Sequence, residues 1–404
     1  MDLWALASPR GAGDAHAARL MQNEDRKRLQ PSLTSMAQQS GRIRGLNILH
    51  VDTEMEWRGG QAQLLALARA LRERGHKQTI AACAKSALAK RARAEGIEVV
   101  TLHRFTGLRT LRRAARRFDL IHTHSARAQN LVWLATIGLS VKKVVSRLVA
   151  FEPRHPSLHR WKYTHTCDGI IAASDAVAAV LMRCGAPPAR IRVVEAGVEP
   201  PAHIPDAKER SAARRQYGLG DSDFVIGHAG AFTPEKGQAV LLEAFRLLLD
   251  RMPRAWLLLA GSGPLARSSA ILASAARSMG RAILLGQVED IGEFLAALDV
   301  FVMPSLSEGW GLAALEAMAR GIPVVASRTG GLERIVADGE TGWLVPPGDS
   351  KALAAALFNA GSDLQRLHSM GAAARLRAEM FSITAAAAKT EAFYKEILAS
   401  PPPD

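Results

Sequence analysis

The 404-residue chain has few cysteines and no long apolar run. Its three cysteines, Cys83, Cys167 and Cys184, are odd in number and widely spaced, which argues against a disulfide framework or a zinc site and indicates a reducing compartment. No apolar segment approaches the roughly 20 residues of a membrane span. Residues 3–7 are too few for the apolar core of a signal peptide. We therefore predict a cytoplasmic protein.

Aromatic residues are also scarce, at 5% of the chain. Without an aromatic and basic stripe or a helix-turn-helix pattern, nucleic-acid binding is the least supported function. The net charge of +14 is uneven, because residues 41–200 carry 27 Lys and Arg against 12 Asp and Glu, and residues 201–404 carry 20 against 22. A basic half predicts an anionic partner on one side, such as the inner face of the plasma membrane or a phosphorylated glycan. A basic surface without a specific partner is the alternative.

Short apolar runs alternate with helical periodicity from Leu46 onward, in two series. This alternation predicts an α/β fold with two doubly wound parallel sheets that face a cleft. We predict disorder for residues 1–44, a first domain over 45–198, a second over 199–380, and a final helix over 381–398. Several prolines at 193–205 mark the linker.

Residues 305–327 carry the most specific pattern. Glu308 is followed by Gly309 and Gly311, and a helix then carries Glu316. Glycines before a helix leave backbone N–H groups free, which favours phosphate. Carboxylates beside phosphate would accept hydrogen bonds from hydroxyls instead. The segment predicts a nucleotide-sugar site, although Glu308 as a helix cap and Glu316 as a solvated residue are the alternative interpretation.

Further glycine turns follow predicted strands or open a helix, and for the turns with Lys236 and with Gly261 a purely structural turn is the alternative. Backbone in such turns can approach a ligand closely, and a lysine there can reach a diphosphate. The turns are Arg58-Gly59-Gly60, Gly230 to Gly237 with Lys236, Gly261-Ser262-Gly263, and Thr329-Gly330-Gly331 after Arg328.

His122 and His124 end one predicted strand and share a face. A structural role is expected for one of them. Because no third ligand stands at a recognisable spacing, we predict no metal site.

Together these motifs resemble glycosyltransferase family 4, from Leu46 to Leu398 and most strongly between Gly230 and Gly348. The resemblance implies the GT-B fold, with two Rossmann-like domains and a C-terminal helix that crosses back to the first. It also implies sugar transfer from a nucleotide sugar with retention of configuration, and neither a metal nor another cofactor.

Matched position by position, the resemblance assigns roles to individual residues. Glu308 and His124 would lie beside the donor sugar, and Lys236 beside the diphosphate. Glu316 would accept from the ribose. The remaining donor-binding positions are Gly59, Gly60, Gly230, Gly261, Gly309, Trp310, Gly311, Leu312 and Arg328.

Ala231 departs from the family pattern, which often reads Gly-Arg-Leu-x-Pro-Glu-Lys-Gly. Fixed cations lower the barrier to departure of a diphosphate, so the missing arginine matters. Arg58 or Arg328 would have to replace it. An inactive nucleotide-sugar-binding protein and a nucleotide-sugar 2-epimerase of the same fold remain alternatives.

The segment 46–60, with Arg147 and residues 161–163, is similar to family members of bacterial cell-envelope glycan assembly. This similarity implies an anionic glycan or lipid-linked acceptor of the lipopolysaccharide type. The basic first domain would then contact an anionic membrane.

Overall fold

The computed structural model describes residues 45–148, 156–268, 280–288 and 290–400. The predicted disorder of residues 1–44 lies outside them. From Leu46 onward the chain forms one unit that contains two parallel sheets. Within the described residues, no helix combines the length and the apolarity that a membrane span requires.

The first sheet has seven parallel strands in the order β3-β2-β1-β4-β5-β6-β7. Its strands are β1 (Asn47–Val51), β2 (Lys77–Cys83), β3 (Glu98–Leu102), β4 (Leu120–Thr123), β5 (Lys142–Arg147), β6 (Gly169–Ala172) and β7 (Ile191–Val193). The intervening helices are α1 (Gly59–Glu73), α2 (Ala87–Ala94), α3 (Gly107–Ala115), α4 (Ala126–Thr136), α5 (Pro156–His165) and α6 (Asp175–Arg183), followed by the 3-10 turn Pro188–Arg190. The short β7 ends at Val193, where the proline-rich linker that the sequence predicts begins.

The second sheet has six parallel strands in the order β10-β9-β8-β11-β12-β13. They are β8 (Phe224–Ala229), β9 (Ala255–Ala260), β10 (Ala282–Gly286), β11 (Val300–Met303), β12 (Val324–Ser327) and β13 (Gly342–Val345). The helices are α7 (Ala207–Gln216), α8 (Gln238–Leu249), α9 (Pro264–Ser268), α10 (Ile291–Ala296), α11 (Leu312–Ala319), α12 (Leu332–Ile335), α13 (Ser350–Ser362) and α14 (Leu364–Glu379), with the 3-10 turn Pro234–Lys236.

The central strands are buried because helices cover both faces of each sheet. Every residue of β8, β11 and β12 is buried. Strands buried on two faces lose the alternation of half-exposed strands. The turns after their carboxyl ends therefore carry the polar chemistry.

The last helix, α15 (Ile383–Ala399), packs on the first domain, as the family resemblance implied. Its Phe393 and Tyr394 share a core cluster with Ile48 and Leu120. The GT-B architecture is thus confirmed, including the crossing helix.

The chain passes between the domains twice, and the two passages are hydrogen-bonded to each other. Val198 N–H donates to the Phe381 carbonyl, and Ile383 N–H donates to the Val198 carbonyl, each at 2.9 Å. The backbones approach so closely that a Cβ at Gly197 would lie 2.5 Å from the Ser382 carbonyl carbon.

Candidate active site

Lys236 and Glu308 form an ion pair between the turns after β8 and β11. Lys236 Nζ lies 2.6 Å from Glu308 Oε2, and the side chains are 21% and 6% exposed. Ser305 Oγ donates to the same oxygen at 3.1 Å. The two charges therefore act as one unit. The sequence had assigned them to separate partners, diphosphate and sugar.

The N-terminus of α11 opens beside this pair. Gly311 precedes it with φ +101°, and a Cβ there would lie 2.5 Å from Leu332 Cδ2, so only glycine fits. The first helical bond runs from Leu315 N–H to the Gly311 carbonyl. The N–H groups of Leu312 and Ala313 precede that bond and carry the partial positive charge of the helix start.

The loop that carries Glu308 is fixed on two sides. Trp310 is buried, and its Nε1–H donates to the Ala196 carbonyl at 2.8 Å, while Ser174 Oγ donates to the Gly309 carbonyl at 2.8 Å. Behind the loop, a Cβ at Gly330 would lie 1.8 Å from the Glu308 carbonyl oxygen. The Gly330-Gly331 turn is thus a packing surface for the loop.

The Arg58-Gly59-Gly60 turn of the first domain meets α11 across the cleft. A Cβ at Gly59 would lie 3.5 Å from Leu312 Cδ2. Gln61 holds this turn, because its Oε1 accepts from Arg58 N–H at 3.2 Å and its Nε2 donates to buried Asp52 at 3.2 Å. Two helix N-termini, those of α1 and α11, therefore converge on one place. That arrangement suits a diphosphate.

Gly230 and Gly261 serve chiefly to bring two turns together. A Cβ at Gly261 would lie 1.8 Å from the Gly230 carbonyl oxygen, and its φ is +138°. Ala231 stands in the same turn, and its carbonyl accepts from Gln238 Nε2 at 2.8 Å.

The side chains of Arg58 and Arg328 each pair with a carboxylate other than Glu308. Arg328 Nη2 is 2.6 Å from Asp338, and Arg58 Nη2 is 2.5 Å from Glu56, with both pairs largely exposed. Arg58 caps the helix that faces α11, so it is the better placed of the two to replace the missing arginine.

Glu316 lies half-buried on α11, and burial raises its pKa to about 7, a rise that Arg320 partly opposes. Near neutral pH the carboxyl is therefore divided between its acid and carboxylate forms. The carboxylate only accepts hydrogen bonds, through both oxygens, whereas protonation turns one of these oxygens into a donor.

A third histidine joins the two that the sequence singled out. The parallel register places His50 of β1 opposite His122 of β4. His50, His122 and His124 each offer one ring nitrogen that could bind a metal ion, and these three nitrogens lie within 4.8 Å of one another. Hydrogen bonds engage five of the six ring nitrogens, with Gln78, Tyr394, Ser146 and the histidines themselves as partners. His122 is the buried structural histidine, bound to Tyr394 and Ser146.

The same bonds fix the proton on His124. Burial and the neighbouring rings lower the pKa of His124 well below its usual range, so the ring is neutral. Gln78 Oε1 only accepts, so His50 Nε2 donates to it at 2.8 Å, and His50 Nδ1 must then accept from His124 Nε2 at 3.0 Å. His124 Nδ1 remains an acceptor, suited to a sugar hydroxyl.

Two family profiles match the chain. The one described as Glycosyltransferase Family 4 covers residues 57–200, and the one described as Glycosyl transferases group 1 covers residues 209–377. A D-inositol 3-phosphate glycosyltransferase of Streptomyces scabiei (strain 87.22) is 34% identical over 305 residues, which are 69% of this chain and 68% of that protein. The chain belongs to glycosyltransferase family 4. It is a glycosyltransferase enzyme.

A second relative and two solved structures are also similar to this chain. A D-inositol 3-phosphate glycosyltransferase of Rhodococcus jostii (strain RHA1) is 33% identical over 66% of this chain and 63% of its own. Anabaena HepE, solved with UDP and glucose, superposes with a TM-score of 0.78 at 23% identity over 86% of this chain and 98% of its own. WaaG, a glycosyltransferase involved in lipopolysaccharide biosynthesis, gives 0.65 at 16% identity over 87% of this chain and 100% of its own. These structures establish the fold.

Sequence reasoning about this glycosyltransferase missed four residues that shape the site. Gln61 and Asp52 hold the first-domain turn, and His50 and Gln78 set the tautomer of His124. The strand register of β1 against β4 is the observation that would have revealed His50.

Proposed function

We propose that the enzyme is a retaining, metal-independent transferase that moves a sugar from a nucleotide sugar to an anionic glycan or lipid-linked acceptor. The Lys236–Glu308 pair carries this proposal, because it lies beside the α11 N-terminus and opposite that of α1. The diphosphate would bind between the two helix starts. Lys236 would then shift from Glu308 toward the leaving phosphate.

In the proposed mechanism the acceptor attacks from the face that the diphosphate leaves. The departing phosphate takes the acceptor proton, so no carboxylate nucleophile is required. Glu308 orients the sugar, and His124 accepts from one of its hydroxyls through Nδ1. Preorganised donors at the departing oxygen lower the barrier without further rearrangement.

The comparisons suggest chemical classes for both substrates. HepE binds UDP, which supports a uridine nucleotide as the first donor to test. The relatives named D-inositol 3-phosphate glycosyltransferases use a phosphorylated polyol by name, and WaaG works in lipopolysaccharide biosynthesis. An anionic acceptor of envelope-glycan type agrees with both and with the basic first domain.

Thermal shift against a panel of nucleotide sugars tests the donor. A donor at 100 times its Kd should stabilise the protein by about 2.7 kcal/mol. The stabilising donor is then incubated alone and with phosphorylated glycans, and NMR follows the products. Transfer with retained configuration supports the proposal. A donor converted without acceptor would indicate an epimerase, and binding without turnover would indicate an inactive member.

The surface of α3 fits the proposed membrane contact. Phe105 and Leu108 are 91% and 43% exposed at the start of this helix. Arg104, Arg109, Arg113, Arg116 and Arg117 are exposed around them, and none forms an ion pair among the residues described. The helix follows the carboxyl end of β3, so the apolar pair lies on the cleft side of the sheet. Such a surface suits the interface of an anionic bilayer.

Vesicle co-sedimentation tests that contact. The double variant F105S/L108S should lose most binding to vesicles with 30% phosphatidylglycerol, whereas L376S removes a 62% exposed leucine from the second domain and should bind normally. Equal binding of both variants would contradict the assignment of α3.

We expect Arg58→Ala to lower kcat/KM about tenfold, and Arg328→Ala to lower it less than threefold. Arg58 directly precedes Gly59, which faces the α11 N-terminus where the leaving charge develops. Each arginine would have to leave its own carboxylate partner, Glu56 or Asp338, to reach the diphosphate. Steady-state kinetics of both variants with the same donor give the comparison. Unchanged turnover in both would refute compensation for Ala231.

Donor affinity should rise about fivefold from pH 6 to pH 8 in wild type relative to E316Q. The pKa of Glu316 is about 7, so the carboxylate that accepts from ribose forms across this range. Calorimetry measures the UDP affinity of both proteins. UDP itself titrates equally in both experiments, so the ratio of the two affinities isolates the contribution of Glu316.

The stability of the ligand-free protein should depend on pH in the opposite direction. The folded carboxyl holds its proton between pH 4.5 and 7, so wild type loses stability relative to E316Q as the pH rises through that interval. If the ratio of UDP affinities did not change with pH, Glu316 would not belong to the ribose site.

A further inference from the structure

Arg147 and Lys162 lie together at the carboxyl edge of the first sheet, one strand from His124. Arg147 ends β5, and its Nε donates to Tyr163 Oη at 2.9 Å while its Nη2 donates to Gln129 Oε1 at 2.7 Å. Lys162 Nζ donates to the Ala126 carbonyl, in the first turn of α4, at 3.3 Å. Every one of these acceptors is uncharged.

No carboxylate pairs with these two cations among the residues that the structure describes, since every hydrogen bond of Arg147 and Lys162 goes to an uncharged group. Both side chains are half-buried. Burial, and then the charge of Arg147, lower the pKa of Lys162 to about 8. Two half-buried like charges are unfavourable unless an anion joins them.

We propose that Arg147 and Lys162 bind a phosphate monoester group of the acceptor. This rests on the proposed function, because it assigns the acceptor side of the same cleft. The guanidinium has three N–H groups beyond the two bonds above, and the ammonium has two beyond one, which gives five donors for a phosphate. Two cations match a phosphate dianion in charge. The place beside His124 sets the phosphate next to the reacting sugar.

Calorimetry with inorganic phosphate at low salt tests the site directly, without the unknown acceptor. Lys162→Gln should weaken phosphate binding at pH 7 at least tenfold. Lys90→Gln, the same charge change at an exposed position of this domain, should alter it less than twofold. Lys162→Gln leaves the Arg147 bonds in place, and an unchanged Tm shows that the variant folds. Equal affinity of wild type and Lys162→Gln would overturn the proposal.

The pH dependence of sulfate affinity gives a second test, because sulfate stays a dianion across the pH range used. Lys162 is charged below about pH 8 and neutral above it, so sulfate affinity should fall through pH 8 in wild type and stay flat in Lys162→Gln. A profile without that difference would also overturn the proposal. Phosphatidic acid vesicles, tested as competitors of phosphate, distinguish a lipid headgroup from a soluble sugar phosphate as its source. UDP binding by Lys162→Gln is expected to be normal, so failure of the donor site and failure of this anion site are separate results.

Discussion

Glu308→Gln should lower kcat by two to three orders of magnitude, a loss of about 3–4 kcal/mol of transition-state stabilisation. The substitution keeps the size of the side chain and its contact with Ser305. It removes the charge that holds Lys236 at 2.6 Å and that, in the proposed mechanism, faces the donor sugar. Steady-state kinetics give kcat, and circular dichroism shows that the fold persists.

Lys236→Met should cause a comparable loss, and the double variant should be little worse than either single. Residues that act as one unit give non-additive losses. The exposed pair Glu243–Arg246, at 2.9 Å on α8, provides the control cycle, and its three variants should keep wild-type kcat. Wild-type rates in either Glu308→Gln or Lys236→Met would refute the proposed roles.

Gly330→Ala is the second large effect that we expect. Its Cβ would lie 1.8 Å from the Glu308 carbonyl oxygen, so the loop with Glu308 must move. We expect kcat to fall more than tenfold and stability to fall by about 2–3 kcal/mol, from the clash together with the left-handed φ of +56°. Urea unfolding and kinetics measure the two quantities.

Gly339→Ala is the control that separates the steric clash from the strain of the left-handed backbone. Gly339 also has a left-handed φ, of +81°, but nothing lies within 4 Å of a Cβ there. It should lose about 1 kcal/mol of stability and no activity. If Gly330→Ala matched this control in kcat, the turn would not position Glu308.

The sequence predicted local structure well, because a motif keeps its residues close along the chain. The turn after β8 with Lys236 and the glycines before α11 are such motifs. Their contact could not be predicted, since Lys236 and Glu308 are 72 residues apart. They meet because β8 and β11 are neighbours in the sheet, and strand order is a tertiary property.

The histidine cluster shows the same limit. His122 and His124 were visible as a pair on one strand, but His50 enters through the register of β1 with β4. Tyr394 reaches His122 from α15, 272 residues away. At Gly261 and Gly330 the pattern suggested ligand contact, and the structure adds a backbone-packing role that only the neighbouring turn reveals.

The two chain passages at Val198 and Ser382 are paired with each other, so they form a single connection between the two domains. A rotation about this connection would open the cleft and leave both sheets intact. It would draw Ser174 away from the Gly309 carbonyl, and Gly309 is the neighbour of Glu308. In the proposed mechanism, the loop that carries Glu308 would therefore respond to the opening and closing of the cleft.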